Sequence, residues 1–288
     1  MWIADNWKDY ELIDASGGER LERWGSYVLR RPDPQIIWKG ADKERRWNNA
    51  DAIYKRSSKG GGGWVKNELP ESWNIGYKKL KFVLKPMGFK HTGLFPEQAA
   101  NWDWFSELIS KSDRKIKVLN LFAYTGGATV AAALAGASVV HVDAAKGMVA
   151  QAKENAKLSG LENAPIRYIV DDCKKFVERE IRRGNKYDAI IMDPPSYGRG
   201  PSGEIWKIED SIDDLVALTS KVLSDKPLFF LINSYTTGLS PLTMSYIVDL
   251  RISSVHGGKC EASEIALPVK YSGGFMPCGA SARWQEEK

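Results

Sequence analysis

The chain has 288 residues, 43% of them hydrophobic and 27% charged, with a formal net charge of +5. That composition excludes a disordered or fibrous protein and is ample for one large domain or two smaller ones. No apolar run approaches the ~20 residues of a membrane span, and the acidic, aromatic start, MWIADNWKDYEL, is no secretory leader.

The charge is uneven along the chain. Residues 1–90 carry +6 and the remainder −1, and the same segment holds seven of the 11 tryptophans: Trp2, Trp7, Trp24, Trp38, Trp47, Trp64 and Trp73. Residues 1–87 read as a small β-rich N-terminal domain. Trp24 to Val28, Gln35 to Trp38 and Trp73 to Leu84 are its strand candidates, with Asp42 to Tyr54 irregular and Lys59 to Trp64, with four glycines, a loop or a bulged turn. A basic, aromatic segment can track a polyanion and stack bases. The alternative is that the indoles fill a small core, which is the usual use of large aromatics.

Residues 88–288 read as a second domain. Pro96 to Glu107 is helical, with proline in its first turn, and follows an unusual preamble, Thr92-Gly93-Leu94-Phe95-Pro96-Glu97-Gln98. Ile116 to Leu121 is a strand buried on both faces. The turn Phe122-Ala123-Tyr124-Thr125-Gly126-Gly127 follows, then an alanine-rich helix to Gly136 and a second strand, Ala137 to Val142, ending at Asp143. Further alternation places helices at Lys146–Leu158, Lys174–Arg183, Asp210–Leu223 and Pro241–Leu250. Strands lie at Ile166–Val170, Tyr187–Met192 and Leu228–Ile232, a glycine-rich loop at Gly198–Gly203, and a closing hairpin near Ile265–Leu267 and Ala280–Trp284. Such alternation predicts a mostly parallel, doubly wound sheet whose ligand crevice lies beyond the carboxyl ends of its strands.

Strand, glycine turn, helix, strand and acid outline a nucleotide-binding unit. The third glycine of a dinucleotide site is missing, which disfavours a pyrophosphate and a nicotinamide dehydrogenase. A nucleoside with an amino-acid tail suits the loop, and S-adenosylmethionine fits, with Asp143 accepting from the ribose hydroxyls. Asp193-Pro194-Pro195-Ser196 is the second signal. Two prolines remove donors and rigidify the chain beyond a strand, leaving Asp193 and the Pro194 carbonyl to accept from an exocyclic amine while Tyr197 stacks on the base.

LNLFAYTGGAT, HVDAAK, VDDC and MDPPSYGRG resemble motifs of class I S-adenosylmethionine-dependent methyltransferases, and more narrowly the branch containing bacterial large-subunit ribosomal RNA methyltransferases. TGLFPEQ resembles the stretch before the cofactor fold in that branch. The resemblance runs from about Gly88 to Trp284. It implies a Rossmann-like, mostly parallel seven-stranded sheet with helices on both faces. It also implies S-adenosylmethionine as cofactor, S-adenosylhomocysteine as product, and RNA as partner. The implied cofactor residues are Phe95, Gln98, Phe122, Ala123, Tyr124, Thr125, Gly126, Asp143, Ala144, Asp172, Cys173 and Asp193. Asp193, Pro194, Pro195 and Tyr197 would face the acceptor.

The sequence departs from the branch in two places. Residues 1–85 match no PUA domain. The cysteine that cytosine-C5 chemistry requires is replaced by Ser196 and by Ser234-Tyr235, so transfer to nitrogen or oxygen, which needs no covalent adduct, is expected. The three cysteines, Cys173, Cys260 and Cys278, show no metal spacing, so no metal and a cytoplasmic, reducing setting are expected. Methylation of a protein or small molecule, or RNA binding by a vestigial cofactor fold, are the competing readings.

Overall fold

A computed structural model of the chain describes residues 1–40, 47–57, 61–199 and 205–286. It divides into two compact units: Ile3–Ala99 with Ala266–Pro277, and Met1–Trp2 with Ala100–Ile265 and Cys278–Lys288. The first unit therefore runs past residue 87 to Ala99 and takes in a distant segment. Val269 bridges Leu12, and Lys270 and Tyr271 donate to the carbonyls of Leu12 and Ile13. Such pairing across most of the chain leaves no local signal in the sequence.

After β1 (Trp2–Ile3), the first unit holds a sheet of β2 (Tyr10–Ser16), β3 (Glu19–Trp24), β4 (Tyr27–Pro32), β5 (Ala52–Arg56) and β6 (Gly62–Asn67), in that order. β7 (Trp73–Tyr77) and β8 (Leu80–Leu84) form a separate hairpin. Several elements differ from expectation. Trp24 to Val28 is broken at Gly25, whose φ of 66° lets Trp24 pair with Tyr27 across a two-residue turn. Gln35 to Trp38 is no strand, because the carbonyls of Ile36 and Trp38 accept from Gly18 and Gly17. Trp73 to Leu84 folds back at Lys78, φ 52°. Ala52–Arg56 is strand rather than irregular. Of the other expectations here, Gly62 to Trp64 are the start of β6 rather than loop, and Asp42 to Arg46, Lys59 and Gly60 lie outside the described residues.

Most tryptophans of this unit are structural. Trp24 and Trp47 are fully buried. The indole N–H groups of Trp7, Trp38, Trp47, Trp64 and Trp73 donate to Pro96 O, Ala15 O, Asp14 Oδ2, Met87 O and Trp24 O. Buried indole N–H groups normally find such partners, and Trp24 Nε1 has none among the described residues. Beneath the sheet, Arg31 grips Glu22 through two bonds of 2.7 and 2.8 Å, and Tyr10 Oη donates to the same carboxylate at 2.9 Å.

The second unit opens with α1 (Ala99–Ser110), preceded by a 3-10 turn at Pro96–Gln98. Next come β9 (Lys117–Leu121), α2 (Gly127–Leu134), β10 (Ser138–Asp143), α3 (Lys146–Leu158), β11 (Ile166–Val170), α4 (Cys173–Arg182) and β12 (Ala189–Met192). Of the loop expected at 198–203, Gly198 and Arg199 lie in a short strand, β13 (Tyr197–Arg199), paired with β14 (Ile205–Lys207), and 200–203 lie outside the described residues. α5 (Ile208–Ser220), β15 (Phe229–Ser234), α6 (Pro241–Val248), β16 (Lys259–Pro268) and β17 (Phe275–Gln285) complete the chain.

The sheet order is β1-β16-β17-β15-β12-β9-β10-β11. It has eight strands rather than the seven expected, because the two-residue β1 pairs onto β16. From β15 to β11 all pairings are parallel, and β17 is antiparallel to β15. β12 and β15 are buried along their whole length, as apolar runs covered by helices on both faces require. Among the described residues no helix is long and apolar enough to cross a membrane.

Candidate active site

The parallel register lines up the strand ends. Leu121 stands beside Val142 on one side and Met192 on the other. Val142 stands beside Ile169, and Met192 beside Ile232. The next residues outward, Phe122, Asp143, Asp193 and Asn233, therefore emerge along one edge. Asp143 and Asp193 flank Phe122, one strand away on each side. With strands ~4.8 Å apart, they are separated by roughly 10 Å.

The loop after β9 is tightly held. Phe122 and Tyr124 have positive φ, 55° and 49°, a conformation costing about 1–3 kcal/mol for a non-glycine residue. Three bonds hold it there. Ala123 N donates to Val142 O at 3.1 Å, Gly126 N to Ala123 O at 2.9 Å, and Tyr124 N to Asp143 Oδ2 at 2.8 Å. The other oxygen of Asp143 accepts from Ala145 N at 2.8 Å. A carboxylate has about four acceptor positions, so two bonds to backbone still leave capacity for vicinal hydroxyls. Ala144, between these two anchors, is exposed.

Protein packing explains the two glycines. A Cβ on Gly126 would sit 2.8 Å from Ala152 Cβ of α3, and one on Gly127 would sit 2.7 Å from Trp102 Cζ2 of α1. Their smallness draws α2 against its neighbours. α2 begins with no side-chain cap, and an uncapped helix N-terminus favours an anionic group such as the carboxylate of an amino-acid tail. Thr125 is buried, and its carbonyl accepts from Asn155 Nδ2 at 2.8 Å. Asn120, Thr129 and His141 form a buried chain behind the loop, with Thr129 Oγ1 2.8 Å from His141 Nδ1. Burial pulls His141 down to about 3, so it is neutral. Asn155 and this chain escaped the sequence reading, since isolated polar residues in apolar runs carry no motif.

Asp172 is the N-cap of α4, its Oδ1 accepting from Lys175 N at 2.9 Å, and its side chain is exposed. Cys173 lies under the loop, where Phe122 N donates to its Sγ at 3.2 Å. Burial pushes the Cys173 thiol up to about 12. Burial does the same to Cys260, and Cys278 is also buried. Neither Cys173 nor Cys260 is a thiolate at neutral pH.

On the far side, Asp193 N donates to Leu121 O at 3.4 Å. The carbonyls after it are mostly occupied. Trp206 Nε1 donates to Pro195 O at 2.6 Å, and Ile208 N to Ser196 O at 3.1 Å. Among the described residues nothing donates to the Pro194 carbonyl. Trp206 also lies against Phe122, ring centroids 6.3 Å apart. Sequence reading passed over it, because its partners come from segments far from it in the chain. Tyr197, on β13, is 51% exposed.

The candidates do not all fall in one unit. Phe95 and Gln98 belong to the first, where Gln98 is buried and its N–H donates to Phe95 O at 3.2 Å. The Phe95 ring packs on His91 at 5.1 Å. The remaining candidates lie in the second unit.

Comparison with known proteins points one way. A family model described as S-adenosylmethionine-dependent methyltransferase matches residues 37–221. A crystal structure of an S-adenosylmethionine-dependent methyltransferase from Agrobacterium tumefaciens is 37% identical, covers 99% of this chain and 93% of its own, and superposes with a TM-score of 0.90. A candidate methyltransferase of the same kind from Streptococcus mutans, 19% identical, covers 96% of this chain and 76% of its own, with a TM-score of 0.72, and shares the fold. The ribosomal RNA large subunit methyltransferase K/L of Shewanella baltica is 35% identical over 151 residues. That match takes in 50% of this chain and 20% of the relative, so the chain spans about a fifth of the length of such curated relatives.

Proposed function

The chain belongs to the S-adenosylmethionine-dependent methyltransferase family, and from that premise we propose that it methylates a base of structured RNA, most of all ribosomal RNA. Its cofactor is S-adenosylmethionine. Bound, that molecule supplies a methyl group already activated on a sulfonium. The chain's own contribution is to hold donor and acceptor in line, which can lower a barrier by about 7–11 kcal/mol in favourable cases.

In this reading Asp143 accepts from the ribose hydroxyls and the amino end of α2 receives the carboxylate of the tail. Phe122, Ala123, Tyr124, Thr125 and Gly126 form the wall beneath, with Ala144, Asp172 and Cys173 on the adenine side. Asp193 and the Pro194 carbonyl accept from an exocyclic amine, and Tyr197 holds the ring. One observation carries the reading: Asp143 and Asp193 emerge on either side of Phe122 in a single row of strand ends. Three buried thiols, two of them pushed up to about 12, speak for transfer without a cysteine adduct.

An RNA acceptor is supported by the likeness to the Shewanella ribosomal RNA large subunit methyltransferases and by exposed cations of the first unit, Lys39, Lys55, Arg56, Lys78, Lys79 and Lys81. With most indoles tied into the unit, recognition falls to these charges more than to base stacking. The test is methyl transfer from labelled S-adenosylmethionine to total RNA, with and without ribonuclease. Label should appear in RNA, vanish with ribonuclease, and transfer should weaken steeply with salt. Label that stays in protein or small molecules after ribonuclease would sink the RNA acceptor.

A further inference from the structure

A second cavity in the sheet unit, of about 450 Å³, is walled by Trp2, Trp104 and Leu108 and floored by Arg283. It lies away from the row of strand ends. Gln285, also in its lining, pairs with Phe229, the first residue of β15, so the cavity is at the amino end of that strand, whereas Asp143 and Asp193 follow carboxyl ends.

Arg283 is unusual there. It is only 8% exposed, and its hydrogen bonds go to neutral oxygens: Nε to Asn101 Oδ1 at 2.8 Å and Nη2 to Ala100 O at 2.9 Å. Asn101 is itself locked, its Nδ2 reaching Asn233 Oδ1 at 3.1 Å and Ser281 Oγ at 2.9 Å. The guanidinium carbon stands 3.7 Å from the ring centroid of Trp2 and 5.1 Å from that of Trp104. Both carboxylates of the lining are engaged at the rim. Glu107 pairs with Lys111, and Glu261 with Lys259 at 3.0 Å, all with side chains more than half exposed. No carboxylate lies within ion-pair distance of the buried cation, Glu261 acting on it only from farther off, and its Nη1 donors have no hydrogen-bond partner among the described residues. A buried charge is costly unless paired. Neutral acceptors and two π faces offset only part of that cost.

We propose that this cavity binds a small oxyanion carried on an apolar body, the anion taking the Nη1 edge of Arg283 and the body lying against Trp2, Trp104 and Leu108. A carboxylate and a phosphate monoester share this chemistry. The site does not depend on the identity of the methyl acceptor, and its ligand need not be a methylation substrate.

The experiment titrates the ¹⁵N-labelled full chain with benzoate, phenyl phosphate and, as a neutral control, benzyl alcohol, following the indole N–H resonances. At least one aromatic anion should saturate with a Kd below ~1 mM, moving the Trp2 and Trp104 signals and leaving Trp206 in place. The tighter of the two identifies the headgroup. Arg283→Gln should weaken binding by ~10–100-fold, as loss of a charge-assisted hydrogen bond does. Because Arg283 also ties α1 to β17, Trp2→Ala is the second variant. It should bind several-fold more weakly while still melting in one cooperative transition. No movement of either indole by ~10 mM anion, equal binding of benzyl alcohol, or wild-type binding by both variants would overturn the proposal.

Discussion

The indole N–H of Trp206 donates to the carbonyl of Pro195 at 2.6 Å, while its ring lies 6.3 Å from that of Phe122. One side chain thereby touches the turn after β12 and the loop after β9. Trp206→Phe keeps an aromatic ring and removes the donor, forfeiting an exposed hydrogen bond worth about 0.5–1.5 kcal/mol. The expected outcome is a roughly 10-fold fall in kcat with cofactor affinity unchanged, read from turnover kinetics and from calorimetry with S-adenosylhomocysteine. Wild-type kcat in a folded Trp206→Phe would detach this bond from catalysis.

Asp143 bonds to Tyr124 N and Ala145 N, both at 2.8 Å. Asp143→Ala should therefore weaken cofactor binding by about 1–3 kcal/mol and also loosen the strained loop. Calorimetry measures the first effect, and faster hydrogen exchange at Tyr124 and Ala145 reports the second. Unchanged affinity would put the ribose elsewhere.

Asp193→Asn retains size and exchanges one acceptor for a donor, so an incoming amine meets a repulsive partner. Turnover should fall by at least ~100-fold, about 2.7 kcal/mol, while S-adenosylhomocysteine binds as before. Cys173→Ser, Cys260→Ser and Cys278→Ser should keep their chemistry. A covalent adduct trapped on RNA carrying 5-fluorocytosine would restore a cysteine mechanism.

Two buried acids of the first unit should respond to pH in opposite senses. Burial by itself would raise Glu22, but Arg31 and Arg20, with the hydrogen bonds from Arg31 and Tyr10, outweigh it and hold the carboxyl below its ordinary 4.5. An acid lowered by folding contributes stability above its unfolded pKa and loses it as pH falls through the folded value. Glu22→Gln should then cost about 3–5 kcal/mol at pH 7, as a broken buried pair does, and less in acid.

Glu97 is the reverse case. It is 3% exposed with Oε2 unpartnered among the described residues, and burial outweighs Arg20 and Arg31 to hold it above 4.5. Its neutral form belongs to the fold, so its stability contribution is intact below 4.5 and lost as pH rises through the folded value. Glu97→Gln should raise Tm at pH 8, by about 1–3 kcal/mol of stability, and change little at pH 4. Calorimetric melts at both pH values decide. A gain confined to acid would reverse the assignment.

The sequence by itself determined the alternation of the second unit. Lys146–Leu158 and Ile166–Val170 match the periodicity reading residue for residue, because apolar spacing and glycine stops act within a few residues. It also announced the residues that follow strand ends, Phe122, Asp143 and Asp193, since strand, turn and acid are contiguous. Only the tertiary structure decided what occupies each polar group. Pro195 O went to Trp206, Asp172 to the cap of α4, and the two glycines to Ala152 and Trp102. The turn at Gly25, the hairpin at Lys78 and the return of residues 266–277 to the first unit depended on which strands pair. Pairing is chosen by side chains meeting across long sequence separations, and those energies appear only once the whole core is assembled.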